Sequence, residues 1–134
     1  MLMRVNFVSI PVADQDRALA FYLDKLGFSV HTDAPYDGTT RWIFLRIPGA
    51  ETLLHFAAPD EIRVKSGSPA LCLVCDDVDA EAARLAAAGA QPHAGPADAP
   101  WDAAVRWAML RDTEDNLILL QSSPHDQPRT REGA

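Results

Sequence analysis

The sequence is short of positive charge, of cysteine and of long apolar runs, and each shortage removes a class of function. Lys and Arg number 12 against 19 Asp and Glu, a net charge of -7. The phosphate-neutralising surface that nucleic-acid binding needs is therefore not evident, and nucleic acid is not expected as a partner. No apolar run approaches the roughly 20 residues that span a bilayer. The opening Met1-Leu-Met-Arg-Val-Asn6 also lacks the basic-then-apolar pattern of a secretory signal. A cytoplasmic protein without a membrane partner is expected. The two cysteines, Cys72 and Cys75, form a C-x-x-C string that elsewhere can mark a redox pair or half a zinc site. Here the string lies in the apolar run Ala70–Cys75, which reads as a buried strand, and residues three apart on a strand point to opposite faces.

What is present describes an ordinary globular protein. With 48% hydrophobic and 23% charged residues over 134 positions, the chain suits one soluble domain that buries roughly two-thirds of its unfolded surface. It needs neither metal nor disulfide merely to fold. Function must therefore be sought in a site.

Along the chain, Val5–Val12 reads as a strand with Val8, Ile10 and Val12 on one face and Phe7, Ser9 and Pro11 on the other. Asp14 is placed to cap a helix whose apolar residues run from Ala18 to Leu26, and Gly27 to stop it. Strands are expected over Phe28–Thr32, Thr40–Ile47 and Thr52–Ala57, with a turn-rich stretch from Asp33 to Gly38 and a linker from Pro59 to Pro69. The plan then repeats: a strand over Leu71–Cys75, Asp77 as cap, an alanine-rich helix over Val78–Ala88, and Gly89 as stop. Asp14 and Gly27 lie 13 residues apart, Asp77 and Gly89 12 apart, which is how a diverged internal duplication looks. Gln91–Ala103 reads as a long loop carrying three prolines and Trp101, a candidate lid. Val105–Leu110 and Leu117–Gln121 complete the strands, and residues 123–134 are expected to form a flexible tail.

The stretches Ile10–Tyr22 with Lys25-Leu-Gly-Phe28, Val74–Asp79, Pro100-Trp101 and Arg111–Leu117 together resemble the vicinal oxygen chelate superfamily. That superfamily contains glyoxalase I, extradiol dioxygenases and bleomycin-resistance proteins, and the resemblance covers roughly residues 4 to 122. It implies an α+β fold: a single domain over 1–122, with one βαβββ module over about 4–58 and a second over about 69–122. The two modules would form a U-shaped sheet around a concave cleft, with helices on the outer face. Metal-dependent members carry ligands on the strands that open and close each module. By the family motif, the first-strand ligand precedes the capping Asp by seven residues, at Phe7 and Ala70, and the last-strand ligand of the second module follows the Asn of the family turn by three, at Leu119. None of these can coordinate a metal. The remaining position falls at His55, one donor where a divalent ion wants three or more. In the turn itself Thr113 and Asp115 stand where the family usually has Pro and Gly.

Strand alternation places Phe7, Ser9, Leu53, His55, Ala70, Cys72, Leu117, Leu119 and Gln121 on the concave face. Val8, Ile10, Leu54, Phe56, Leu71, Leu73, Cys75, Ile118 and Leu120 fall under the helices. The concave face is apolar with few polar groups, as in a small-molecule pocket or a second core. His55 is open to three roles, as metal ligand, general base or hydrogen-bonding anchor, or it is simply a buried neutral histidine. Trp42, Trp101 and Trp107 offer stacking surfaces, with Trp101 the preferred pocket residue. Arg41, Arg46 and Arg106 lie near two of them in strands; alternation places Arg46 with Trp42, and Arg41 and Arg106 are secondary candidates for anion recognition. Tyr22 reads as core, and His31, His93 and His125 are assigned no role.

The leading expectation is a metal-free homodimer that binds a small, partly apolar or aromatic molecule through Phe7, Ser9, Trp42, Leu53, His55, Cys72, Trp101, Leu119 and Gln121. It has no cofactor. The alternative is a metal-dependent lyase, isomerase or dioxygenase using His55 with Glu51, Asp102 or Glu114. A third possibility is acid–base catalysis by His55 without metal.

Overall fold

Both helices begin with the same hydrogen bond. Asp14 Oδ1 accepts from the Arg17 N–H and Asp77 Oδ1 from the Ala80 N–H, each at 3.0 Å, so each carboxylate satisfies a donor that the first helical turn leaves unpaired. In the computed structural model, which describes residues 1–123, these caps open α1 (Gln15–Ala20) and α2 (Val78–Ala87). The first helix continues as a π-helical turn over Phe21–Lys25, and Gly27 and Gly89 take positive φ where the stops are expected. The strands are β1 (Phe7–Pro11), β2 (Ser29–Pro35), β3 (Arg41–Arg46), β4 (Leu53–Ala57), β5 (Pro69–Val74), β6 (Gln91–Ala99), β7 (Asp102–Arg111) and β8 (Leu117–Gln121). The chain is thus α+β, two successive βαβββ modules as expected. Two four-stranded sheets run in the orders β1-β4-β3-β2 and β5-β8-β7-β6. In each, the first and last strands of the module pair in parallel and the others antiparallel.

Two sequence expectations need correction. The long loop over Gln91–Ala103 is mostly β6, and Pro100 and Trp101 form the turn into β7. Trp101 therefore sits 61% exposed at a hairpin tip rather than on a lid, and His93 lies in a strand. The prolines mislead because β6 is an edge strand, where a missing N–H breaks no ladder on the outer side. The register also shifts around Gly95 and Pro96. The second is smaller: β2 runs on to Pro35 through residues read as a turn, and it too is an edge strand. The expected tail lies, apart from Ser123, outside the described residues, as does His125.

The chain divides into two compact units. The first comprises residues 1–68 together with 112–116, the second 69–111 with 117–123 among the described residues. In the first, Ile10, Ile43, Leu45, Leu54 and Phe56 bury one sheet face, and fully buried Tyr22 meets the rings of Phe21, Phe28 and Phe56 at 5.3 to 5.7 Å. Its hydroxyl donates to Asp112 Oδ2 at 2.7 Å. That buried carboxylate also accepts from the Asn116 side chain at 3.0 Å and from the backbone N–H groups of Glu114 and Asn116 at 2.8 Å. Burial, foremost, and the adjacent Asp112 push the Tyr22 phenol well above its ordinary 10.0. Asp115 takes φ 66, the left-handed conformation Asp adopts at tolerable cost, so the turn keeps a left-handed residue where the family usually has Gly. In the second unit Leu71, Val78, Leu85, Ala108, Leu110, Ile118 and Leu120 form the core.

Candidate functional site

The face of the first sheet turned away from that core carries a cluster of aromatic side chains. Register pairs Phe7 with Leu53 and Ser9 with His55 between β1 and β4, and Phe44 with His55 between β3 and β4. Directly paired residues project on the same side, and Trp42 joins them two residues before Phe44. The His55 imidazole is ringed by Phe44, Trp42 and Phe7, with ring centroids 4.8, 5.1 and 5.3 Å away. Tyr36, just past β2, stacks on Trp42 at 5.3 Å with the planes 24° apart. Trp42 stays 43% exposed, so much of its indole remains open to a ligand.

His55 is the polar element of this surface. Its Nδ1 lies 3.0 Å from Ser9 Oγ. Burial holds its pKa below the ordinary 6.5, with Glu61 opposing, so the ring is neutral near pH 7. The sign follows: the folded protein binds fewer protons here than the unfolded chain, so stability from this group is present above pH 6.5 and declines as pH falls toward the folded pKa. An NMR titration of the His55 ring should give a midpoint below 6.5. A midpoint above it would mean that Glu61, not desolvation, dominates.

A cavity of about 600 Å³ opens beside His55, Trp42 and Tyr36. Its rim is acidic, with Asp37, Asp60 and Glu61 among its residues. Arg41 also lines it, but its guanidinium pairs with Asp16 and Asp33 at 2.9 Å. The Gln15 side chain clamps the Arg41 backbone, donating to its carbonyl at 2.8 Å and accepting from its N–H at 3.0 Å. Arg106, the other secondary candidate, pairs with Asp79 and Asp98 at 3.2 and 3.1 Å. Both side chains are thus held by local carboxylates, whereas Arg46 is simply exposed at the end of β3.

In the second unit the cross-strand rows Cys72–Leu119–Met109 and Val74–Gln121–Trp107 lie on one face of the sheet, opposite the core residues under α2. Cys72, Leu119 and Gln121 therefore share a face, as alternation implies, with Met109 and Trp107 beside them. Cys72 and Cys75 are free thiols, and the run expected to be a buried strand leaves Cys72 exposed and Cys75 half-buried; partial desolvation raises both pKa values.

The donors proposed for a metal do not fit one. Glu114 Oε1 accepts from the Ala13 and Asp14 N–H groups at 3.0 Å, and Arg17 Nε donates to Oε2 at 2.8 Å. Asp102 accepts from the Ala104 N–H at 3.0 Å, and Glu51 lies 3.6 Å from Arg4. His55 has rings and a hydroxyl around it, and among the described residues no three His, Cys, Asp or Glu side chains are grouped to hold an ion. Sequence reasoning missed Phe44, Tyr36, Gln15 and the structural role of Glu114. Alternation from Trp42 through Phe44 could have found the first, whereas Tyr36 depends on the path of a loop.

Comparison with known proteins places these features in a family. The model of the Glyoxalase/Bleomycin resistance protein/Dioxygenase superfamily matches residues 4–120. The uncharacterized protein YurT of Bacillus subtilis (strain 168) is 36% identical over 128 residues, covering 88% of this chain and 98% of its own. TnmS3, an antibiotic binding protein from Streptomyces sp. CB03234, is 34% identical with a TM-score of 0.75, covering 90% of this chain and 96% of its own. A superfamily member from Sphaerobacter thermophilus DSM 20745 gives a TM-score of 0.78 at 27% identity, over 91% of this chain and 98% of its own.

Proposed function

Because the chain belongs to the glyoxalase/bleomycin resistance protein/dioxygenase superfamily, we propose that it binds a small, partly apolar or aromatic molecule without the help of a metal ion. The observation that carries this reading is the half-open aromatic cluster of Trp42, Phe44, Phe7 and Tyr36 around neutral His55, beside a cavity large enough for a drug-sized molecule. The antibiotic-binding relative TnmS3 lends it support. Among the residues expected from sequence, Phe7, Ser9, Trp42, Leu53 and His55 belong to this first-unit surface. The reading includes a cytoplasmic homodimer, and two free thiols suit a reducing compartment.

The test is binding of naphthalene and quinoline compounds, followed by quenching of tryptophan fluorescence before and after dialysis against EDTA. Affinity should survive chelation and fall about tenfold in Trp42→Ala, as loss of one aromatic stacking partner predicts. Binding that disappears with EDTA would overturn the metal-free reading.

A further inference from the structure

The stack of Tyr36 on Trp42 depends on a turn that one carboxylate closes. Trp42 pairs with Ala34 across β2 and β3, so Tyr36, two residues beyond Ala34, emerges on the same side and reaches the indole. Tyr36 lies past the end of β2, however, where no ladder holds it. Its backbone is tied instead to the Thr40 carbonyl, which accepts from the N–H groups of Tyr36 at 3.1 Å and Asp37 at 3.3 Å. Thr40 itself is held by Asp37 Oδ1. That oxygen accepts from the Thr40 N–H and hydroxyl, each at 2.8 Å, and from the Thr39 N–H and hydroxyl at 2.9 and 3.3 Å, the bonding by which an Asp side chain fixes the backbone that follows it. These bonds, the Thr39 N–H foremost, lower the Asp37 pKa to about 2, so the acceptor is ionised throughout the neutral range. The far side of the turn is anchored as well. Gln15 bonds both backbone groups of Arg41, and the Arg41 guanidinium pairs with Asp16 of α1 and Asp33 of β2.

On the reading proposed above, we infer that Asp37 is a positioning residue of the ligand site, acting through Thr40 and Tyr36 to hold the Tyr36–Trp42 pair in its binding arrangement before a ligand arrives. Tyr36 is 67% exposed and Trp42 43%, so packing alone does not immobilise these rings. Exposed side chains that must be ordered on binding cost affinity, and a pair already ordered does not. Asp37 therefore contributes its geometry rather than its charge. All four donors meet Oδ1, an oxygen that asparagine also carries, so substitution can separate the two.

Quinoline and naphthalene, both uncharged near neutral pH, test this on the full chain by titration calorimetry. Asp37→Ala should weaken both about fivefold, the factor that ordering one side chain on binding supplies, and Asp37→Asn should keep the wild-type affinity. In a Trp42→Ala background Asp37→Ala should cost less than about twofold, because the pair it holds is already gone. A general loss of stability would instead lower affinity equally in both backgrounds. Without ligand, backbone order parameters over residues 36–40 should be those of rigid structure in the wild type and Asp37→Asn, and should fall in Asp37→Ala. Unchanged affinity or unchanged order in Asp37→Ala, equal losses in the Asn and Ala variants, or equal losses with and without Trp42 would each overturn the inference while aromatic binding stood. Failure of the wild type to bind either compound would overturn both readings together.

Discussion

Asp112→Ala is expected to destabilise the protein by about 3–5 kcal/mol, enough to threaten a domain of ordinary stability. The carboxylate is 7% exposed and takes four hydrogen bonds, two from side chains, Tyr22 and Asn116, that are themselves buried. Alanine leaves the Tyr22 hydroxyl facing a void and frees two backbone donors of the turn. Tyr22→Phe removes one donor and leaves the others in place, so it should cost about 1–2 kcal/mol. Urea titrations of the two variants beside the wild type measure both numbers. A loss below about 1 kcal/mol for Asp112→Ala would show that water satisfies the network as well as the carboxylate does.

The second large effect is expected at Gly95, in the irregular part of β6. Its φ is +74, and an added Cβ would lie 2.7 Å from the Trp107 carbonyl oxygen and 3.0 Å from Ala108 Cα. Both are backbone atoms of the neighbouring strand and cannot swing away. Left-handed strain alone costs about 1–2 kcal/mol for an L-residue, and the clash adds to it, so Gly95→Ala should lose about 3 kcal/mol or more. Because β6 is an edge strand, part of the loss should appear as faster amide exchange along β6 and β7 rather than as global unfolding. Unchanged exchange and an unchanged thermal midpoint would mean that the bulge relaxes without cost.

These two positions show what was and was not legible in the sequence. The caps at Asp14 and Asp77 were readable because their bonds span three residues. β8 was readable as Leu117–Gln121 because it is a short apolar run bounded by the polar residues Asn116 and Ser122. Even the face of His55 could be read, since a period of two needs only the correct start. β6 could not, because its prolines and glycine read as loop, and only the absence of a neighbour on its outer side makes them tolerable in a strand. The partners of Glu114 were beyond local reasoning. A carboxylate near the end of the chain gave no sign that it would meet Arg17 and the N–H groups before α1. For the same reason Arg41 looked available until its two acidic partners were seen.

Residues 112–116 belong to the first unit although the whole second helix and three strands precede them in the chain. The bonds that seat this turn span 90 residues from Tyr22 to Asp112, 97 from Arg17 to Glu114 and 105 from Pro11 to Asn116. During synthesis the amino-terminal module therefore leaves the ribosome incomplete. At roughly 5–20 residues per second, it waits several seconds with the Tyr22 hydroxyl and the groups around Asp14 lacking their final partners. The two halves of this duplicated chain cannot mature strictly in order of translation, and a nascent chain stopped at residue 68 carries the first sheet without the turn that finishes it.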